Sequence, residues 1–416
     1  MKKLPHTAIY IHNDVDKKWL INAVCHEGLL DELVDLSSLQ GAVYSNIALQ
    51  YFIDEEVRHD HIEIATSNNT TLANSSSGEQ RKALLSHIIS KEPLFIVLDN
   101  VYESLDVQAR EAVLVTLKSI SDRVIMIQLL ERKRDLLPFI ETIYLVEGTR
   151  LGKSENRQQF VEENTDASLF SNLGIPPPLH NYEAIQGALV SMKKVTVQFD
   201  GRAILRDITW EINAGEFWQL TGPNGSGKST LLSMIAGDSP KAYGQDMQLF
   251  GHQKGSGESV WSIKQKIGYL TPNMIRHFDR RDSIEKMIIA GFFDSVGLYI
   301  KPSDMQVKLA DDWLKLIGMY EQRKNPFLFL PAGQQRMVLI ARAMVKHPPL
   351  LILDEPASGL DDGATALFTA LVNKIAAETN TAIIYVSHLG EPGLLPQHVF
   401  QLTPYTDGSH GQVSKQ

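Results

Sequence analysis

The 416-residue chain holds a single cysteine, Cys25, which excludes an intrachain disulfide and suits a reducing compartment. No apolar run is long enough to span a bilayer, and the basic start, Met1-Lys2-Lys3-Leu4-Pro5-His6, lacks the apolar stretch of a signal peptide. Positive charge is not in excess. With 40 Lys and Arg against 49 Asp and Glu, the net charge of -9 provides no global attraction to nucleic acid or anionic lipid and leaves room only for a local basic patch. These absences lead to the expectation of a cytoplasmic protein, either free or peripheral at the cytoplasmic face of the membrane, whose membrane roles would need a partner. The rest of the composition is that of an ordinary globular protein, and the length suits two or three domains.

What is present is concentrated in Gly222-Pro223-Asn224-Gly225-Ser226-Gly227-Lys228-Ser229-Thr230. The stretch follows the apolar run Phe217-Trp218-Gln219-Leu220 and opens into Leu231-Leu232-Ser233-Met234-Ile235-Ala236. Strand, glycine-rich turn and helix in that order match P-loop spacing. Glycines let backbone N–H groups curl around a phosphate, and the helix N-terminus adds its positive end. Lys228 is expected to neutralise β/γ-phosphates and Ser229 to ligate Mg²⁺. A plain Gly/Ser turn capping a helix is the bland alternative, but such turns rarely carry Gly-Lys-Ser-Thr here. The expected ligands are ATP and Mg²⁺.

The same pattern occurs twice around two other strands. Ser75-Ser76-Ser77-Gly78-Glu79-Gln80-Arg81 precedes a helical stretch, and Pro93 to Asp99 reads as a buried strand ending in a carboxylate. Leu330-Pro331-Ala332-Gly333-Gln334-Gln335-Arg336 and Leu350 to Glu355 repeat that order. Gly78, Gln80, Arg81, Leu84, Lys91, Pro93, Leu98, Asp99, Leu105 and Asp106 each recur unchanged 255 positions later. The chain therefore reads as a duplicated unit. The copies are unequal, since Lys18 to Gly78 spans 60 positions and Lys228 to Gly333 spans 105. In the first copy His12-Asn13-Asp14-Val15-Asp16-Lys17 stands where a P-loop would sit. Glycine is absent there, and Asp14 and Asp16 would repel phosphate.

Asp354 ends an apolar strand, where ligands sit in doubly wound sheets, and is expected to hold Mg²⁺ through water. Glu355 is the candidate general base and His388, at the end of Thr381 to Val386-Ser387, a candidate partner of the γ-phosphate and attacking water. His59, His61 and Glu63 alternate along a possible strand and would form a metal site only with second-shell support; a solvated edge is the commoner outcome. Residues 148–188, with Pro176-Pro177-Pro178, read as a linker between a degenerate domain, 1–147, and a complete one, 189–416.

The order of P-loop, Gly-Gln turn, Leu-Asp-Glu-Pro strand, Gly-Leu-Asp and Ser-His resembles the ATP-binding cassette superfamily from Leu189 to about Leu402. Trp218-Gln219, Leu249-Phe250-Gly251, Gly255-Ser256-Gly257-Glu258, Val260 to Lys264 and Phe292 to Gly297 are similar to its tandem-cassette ModF/PhrA proteins, named for molybdenum transport and photorepair. The resemblance implies an α/β P-loop fold: a mixed sheet flanked by helices plus a helical subdomain, duplicated, with a shortened first copy. It also implies face-to-face closure, with ATP between one P-loop and the other copy's signature turn. Phe199 would stack on adenine, Lys228, Ser229 and Thr230 would hold phosphate and Mg²⁺, and Asp361 would lie in the D-loop. Two positions depart from the pattern. Pro272 replaces the Q-loop glutamine, with Asn273 a weak substitute, which argues against ordinary permease coupling. Pro331 replaces the signature serine, while Asn100 stands where the first copy's glutamate would be. One composite site thus keeps both halves, the second P-loop with Ser76, Ser77 and Gly78, and a polar loop capping a helix is the alternative for those three residues. The resulting expectation is an ATP hydrolase, an intramolecular pseudo-dimer driving motion in an unidentified protein partner. An importer's ATPase subunit of molybdate type, docked on a permease, and an ATP-gated regulator with little turnover are the alternatives. A tandem-cassette translation factor fits less well, for want of a second intact site and a long charged linker.

Overall fold

A computed structural model describes residues 5–30, 36, 38–59, 63–64, 66, 71–75, 77–103, 105–148, 150–152, 155–162, 173–183, 185–271, 274–275, 278, 282–388 and 390–415. The chain divides into two units. The first comprises Met1–Thr165 with the short segment Gly359–Gly363, and the second Asp166–Ser358 with Ala364–Gln416.

Short apolar runs separated by amphipathic helices build the first unit. Its elements are β1 (Thr7–Tyr10), α1 (Lys17–His26), β2 (Gly41–Tyr44), α2 (Asn46–His59), α3 (Ser77–Ser90), β3 (Phe95–Asp99), α4 (Val107–Ile120), β4 (Ile125–Leu130), β5 (Thr142–Glu147), β6 (Arg150–Leu151), β7 (Glu155–Asn156) and α5 (Arg157–Glu162). The described strands run β2-β3-β4-β1-β5-β6, with β7 also on β5, and the first five are parallel. β1, β3 and β4 are buried along their whole length, as strands covered on both faces must be. Alternation then sorts their side chains. Ala8, Tyr10, Ile96 and Leu98 enter one core, and Ile9, Ile11, Phe95 and Val97 the other.

Two expectations change here. His59 ends a helix rather than lying on a strand, because Leu49, Phe52 and Ile53 recur at helical spacing and pack on the core. His61 lies outside the described residues, and Glu63 faces Lys91 at 3.2 Å and His87 at 3.5 Å. Among the described residues no cluster of three His, Cys, Asp or Glu side chains is placed to hold a metal. The second change concerns the stretch expected to be linker. β6 and β7 pair with β5, and α5 sends Phe160 into the first core, 1% exposed and edge-on to Tyr10 at 5.1 Å between ring centres.

The second unit carries β8 (Val190–Phe199), β9 (Arg202–Ile212), β10 (Phe217–Thr221), α6 (Lys228–Ile235), β11 (Met247–Leu249), β12 (His252–Gln253), α7 (Val260–Gln265), β13 (Ile267–Leu270), α8 (Ile284–Ile289), α9 (Asp304–Leu316), α10 (Ala332–Met344), β14 (Leu350–Asp354), α11 (Asp362–Glu378), β15 (Ala382–Val386), β16 (His398–Tyr405) and β17 (Gly408–Lys415). The described strand order is β12-β11-β8-β9-β17-β16-β10-β15-β14-β13. Within it, β13-β14-β15-β10-β16 is parallel and repeats the first unit's β2-β3-β4-β1-β5 strand for strand. The duplication is thus one of topology as well as of sequence. Helices α8, α9 and α10 pack together as the helical part; Ser303 and Gln306 cap α9 reciprocally. The Pro-rich stretch is held to this unit: Ile175 N–H donates to Glu378 Oε2 at 2.9 Å and Tyr182 O–H to the Gln265 carbonyl at 2.8 Å.

Truncating Phe160 tests whether 150–162 is part of a folded unit. Phe160→Ala is expected to cost about 3–5 kcal/mol, read as a lower denaturant midpoint of the first unit's transition. An unchanged midpoint would return the segment to the linker.

Candidate functional site

In the second unit three parallel strands end side by side, and each delivers one part of a polar cluster. β10 leads into the glycine turn, β14 ends at Asp354, and β15 ends one residue before Ser387-His388. The turn depends on its glycines. Gly222 has φ +152°, and a Cβ there would lie 2.7 Å from Ser226 Oγ and 2.8 Å from the Leu402 carbonyl; Gly227 has φ +93°, and a Cβ would meet Leu205 at 2.7 Å. Any other residue at either position would open the turn. Gly225, with φ +74°, Pro223 and Asn224 form the outer part of the turn, and Gly227 leads into α6. Lys228 is the first helical residue, and its ammonium donates to the Gly222 and Pro223 carbonyls at 2.8 and 3.0 Å. Ser226 Oγ is buried and without a hydrogen-bond partner, while Ser229 is exposed and Thr230 half-buried in the first helical turn.

Glu355 stands just past β14 at φ +47°, a left-handed conformation that a side chain adopts only when held. Its N–H donates to the Val386 carbonyl at 3.0 Å, and its Oε1 lies 2.7 Å from His388 Nε2. The His388 contact, first among the causes, holds the Glu355 carboxyl below its usual range despite burial. Burial and then the neighbouring Glu355 push Asp354 up to about 6, against the pull of Lys228 and His388. One strand end therefore carries two carboxyls whose affinities for a proton are driven apart, an arrangement that suits separate tasks.

The structure brings together Gly222 to Thr230, Asp354, Glu355 and His388. The other expected residues stand apart from this cluster. Phe199 ends β8 with its ring 43% exposed and the Lys241 ammonium 5.1 Å from its centre. Asp361 belongs to the short segment of the first unit, where its carboxylate accepts from Asn13 N–H at 2.9 Å. Gly78 is the second residue of α3, with no atom within 4 Å of where a Cβ would stand. Ser77 starts that helix; Ser76, Pro272 and Asn273 lie outside the described residues. Pro331 occupies the cap position of α10 without a side-chain bond.

A pair that the sequence reading missed lies directly behind His388. Gln219 Nε2 donates to Ser387 Oγ at 2.9 Å, and both residues are buried. The matching positions of the first unit are Ala8 and Leu130, both apolar and buried. The signal was a polar residue in an otherwise apolar strand, but only the strand register shows what it reaches.

A family model described as ABC transporter matches residues 205–358. The ABC transporter ATP-binding protein ModF of Escherichia coli (strain K12) is 37% identical over 330 residues, covering 76% of this chain and 67% of that protein. The chain belongs to the ATP-binding cassette family. It is an ATP-hydrolysing cassette protein of the tandem, ModF-like kind. The zinc import ATP-binding protein ZnuC of Vibrio parahaemolyticus shares 34% identity over 202 residues, 48% of this chain and 68% of that one. Among solved structures, a model of ribosome-bound archaeal Pelota and ABCE1 aligns with 99% of this chain and 76% of its own at a TM-score of 0.67 and 12% identity, a likeness of fold alone.

ATP-binding cassettes bind ATP with Mg²⁺, and the cluster passes a direct test of fit. Two turn positions closed to any Cβ and an unpartnered buried hydroxyl are what a backbone cradle for phosphate needs. Ser229 and Asp354 offer a hydroxyl and a carboxylate, oxygen donors of the kind that Mg²⁺ prefers.

Removing the donor behind His388 should loosen that histidine without touching the nucleotide. Gln219→Leu is expected to cost about 1–2 kcal/mol of stability and to lower kcat while ATP affinity is kept. Steady-state kinetics with a parallel nucleotide-binding titration checks the split; equal losses in both would make the pair merely structural.

Proposed function

We propose that the second unit hydrolyses ATP at a composite site, completed by Ser76, Ser77 and Gly78 of the first unit, and that closure and release move a protein partner. The observation that carries the reading is the Glu355–His388 contact of 2.7 Å beside Asp354 and Lys228. Lys228 and the turn amides hold phosphate, Phe199 offers a face to the base, and Ser229 with Asp354 holds Mg²⁺, which when bound supplies charge neutralisation at the leaving phosphate. Glu355, low in proton affinity, accepts a proton from the attacking water. His388 orients that carboxylate and donates toward the transferring phosphate. Asp361 fills the D-loop position. The intramolecular pseudo-dimer is supported by the departures in the sequence: Pro331 has neither hydroxyl nor N–H, whereas the first copy keeps Ser76 and Gly78 but no P-loop. The reading includes a cytoplasmic location, free or peripheral at the membrane face. No described helix is long and apolar enough to cross a membrane.

Glu355→Gln should bind ATP as tightly as the parent and turn it over about 10²–10⁴-fold more slowly; full activity would remove Glu355 from its role. The pairing is tested separately by Gly78→Asp. Open space at Gly78 lets the substitution leave the first unit's packing intact, so turnover is expected to collapse while the melting temperature is kept. Undiminished turnover would dissolve the composite site. An importer's ATPase subunit is the second reading, favoured by the zinc-import relative. A pull-down with ATP-bound Glu355→Gln from membranes and cytosol separates the two, since a recovered integral permease supports the importer and soluble partners alone support the first reading.

A further inference from the structure

The cluster of the second unit has a counterpart in the first, built from other residue types. Six residues, Ile11 to Asp16, separate β1 from α1, and six separate β10 from α6, so Lys17 takes the first helical position that Lys228 takes. Lys18, which the spacing of the two copies sets against Lys228, is the second helical residue. Asp99 ends β3 as Asp354 ends β14. Asn100 then repeats the backbone of Glu355, at φ +46° against +47°, each donating its N–H to the neighbouring strand end. Asp99 registers with Leu129 as Asp354 does with Val386, which sets Glu131 at the place of His388.

Among the described residues, the lysine, the asparagine and the first free helix amides of this counterpart are each engaged by a carboxylate of the same unit. Lys17 Nζ lies 2.9 Å from Glu131 Oε1 and 3.2 Å from Asp99 Oδ1, and both acidic side chains are 7% exposed. Asn100 Nδ2 donates to the other Glu131 oxygen at 2.7 Å. At the α1 N-terminus Asp16 Oδ1 accepts from the Lys18 and Trp19 amides at 2.9 and 3.2 Å, the donors that a helix start offers to an anion. Lys228 donates to the Gly222 and Pro223 carbonyls of its own loop, and its charge also acts on Asp354 and Glu355. Burial alone would lower the Lys17 pKa; Asp99 and Glu131 outweigh it, so the ammonium stays charged and held.

We propose that the first unit is a self-liganded cassette, in which Glu131 and Asp16 take from within the chain the places that phosphate oxygens take at a P-loop. The unit keeps a liganded arrangement permanently, and nucleotide acts only on its sibling. Together with the loss of the loop glycines, a histidine-to-glutamate difference at one strand end turns the phosphate site into a buried ion pair, and an aspartate caps the helix beside it. This reading stands apart from the question of which residues complete the second unit's site.

The test uses the full-length chain with inorganic pyrophosphate as probe. In Lys228→Ala, pyrophosphate is expected neither to bind in equilibrium dialysis nor to raise the first unit's melting temperature. Adding Asp16→Ser and Glu131→Ala uncovers the α1 amides and leaves Lys17 with Asp99 alone, as Lys228 stands beside Asp354, and pyrophosphate binding that Lys17→Met abolishes should appear. Two results would overturn the proposal: Lys17-dependent binding already present in Lys228→Ala, or none gained in the folded triple variant. If the triple variant does not fold, Lys17→Met and Glu131→Gln are compared singly and together. A joint loss of melting temperature well below the sum of the single losses is expected, because removing one charge strands the other. Additive losses would show that the two charges are not engaged with each other.

Discussion

A lysine at the first turn of a helix, buried against carboxylates at the ends of neighbouring parallel strands, is tolerable only while its charge is balanced. Both units are arranged around that requirement. The doubly wound order places the loop-bearing strand beside the strand that follows the acidic one, so three chain segments distant in sequence converge on the same few ångströms. The left-handed residue after each acidic strand, Asn100 or Glu355, is part of the same constraint, because its own N–H donates to the neighbouring strand end.

The two units meet the requirement in different ways. In the second, the lysine rests on neutral carbonyls of a glycine turn, and the adjoining carboxyls are split in proton affinity, Asp354 up to about 6 and Glu355 down. In the first, two nearly inaccessible carboxylates hold the lysine and a third caps the helix. The result is an asymmetric pair of units repeating one strand order, only the second of which carries a glycine turn before its first helical lysine.

Much of this was legible from local sequence. The P-loop, the acidic strand and the constant offset of 255 positions are short-range patterns, each carried by contiguous residues whose conformational needs are strict. Other features resisted. His59, His61 and Glu63 alternate as a strand would, but Leu49, Phe52 and Ile53 bind the first of them into a helix. The segment 150–162 is polar enough to read as tether, yet Phe160 enters one core and Leu151 packs against the other. Gln219 looks like an isolated polar residue until the register sets Ser387 against it.

The residues of the chain by themselves determined that one loop is built for a triphosphate, that a copy of its framework precedes it, and that the copy lacks the glycines to do the same. Those conclusions follow from backbone freedom and charge, which a residue carries wherever it is placed. Only the tertiary structure decided what replaced the lost function. Lys17, Asp99, Asn100 and Glu131 belong to different segments, and their ion pairs exist because parallel pairing aligns the strand ends to within one residue. A shift of one position would send those side chains to the opposite face.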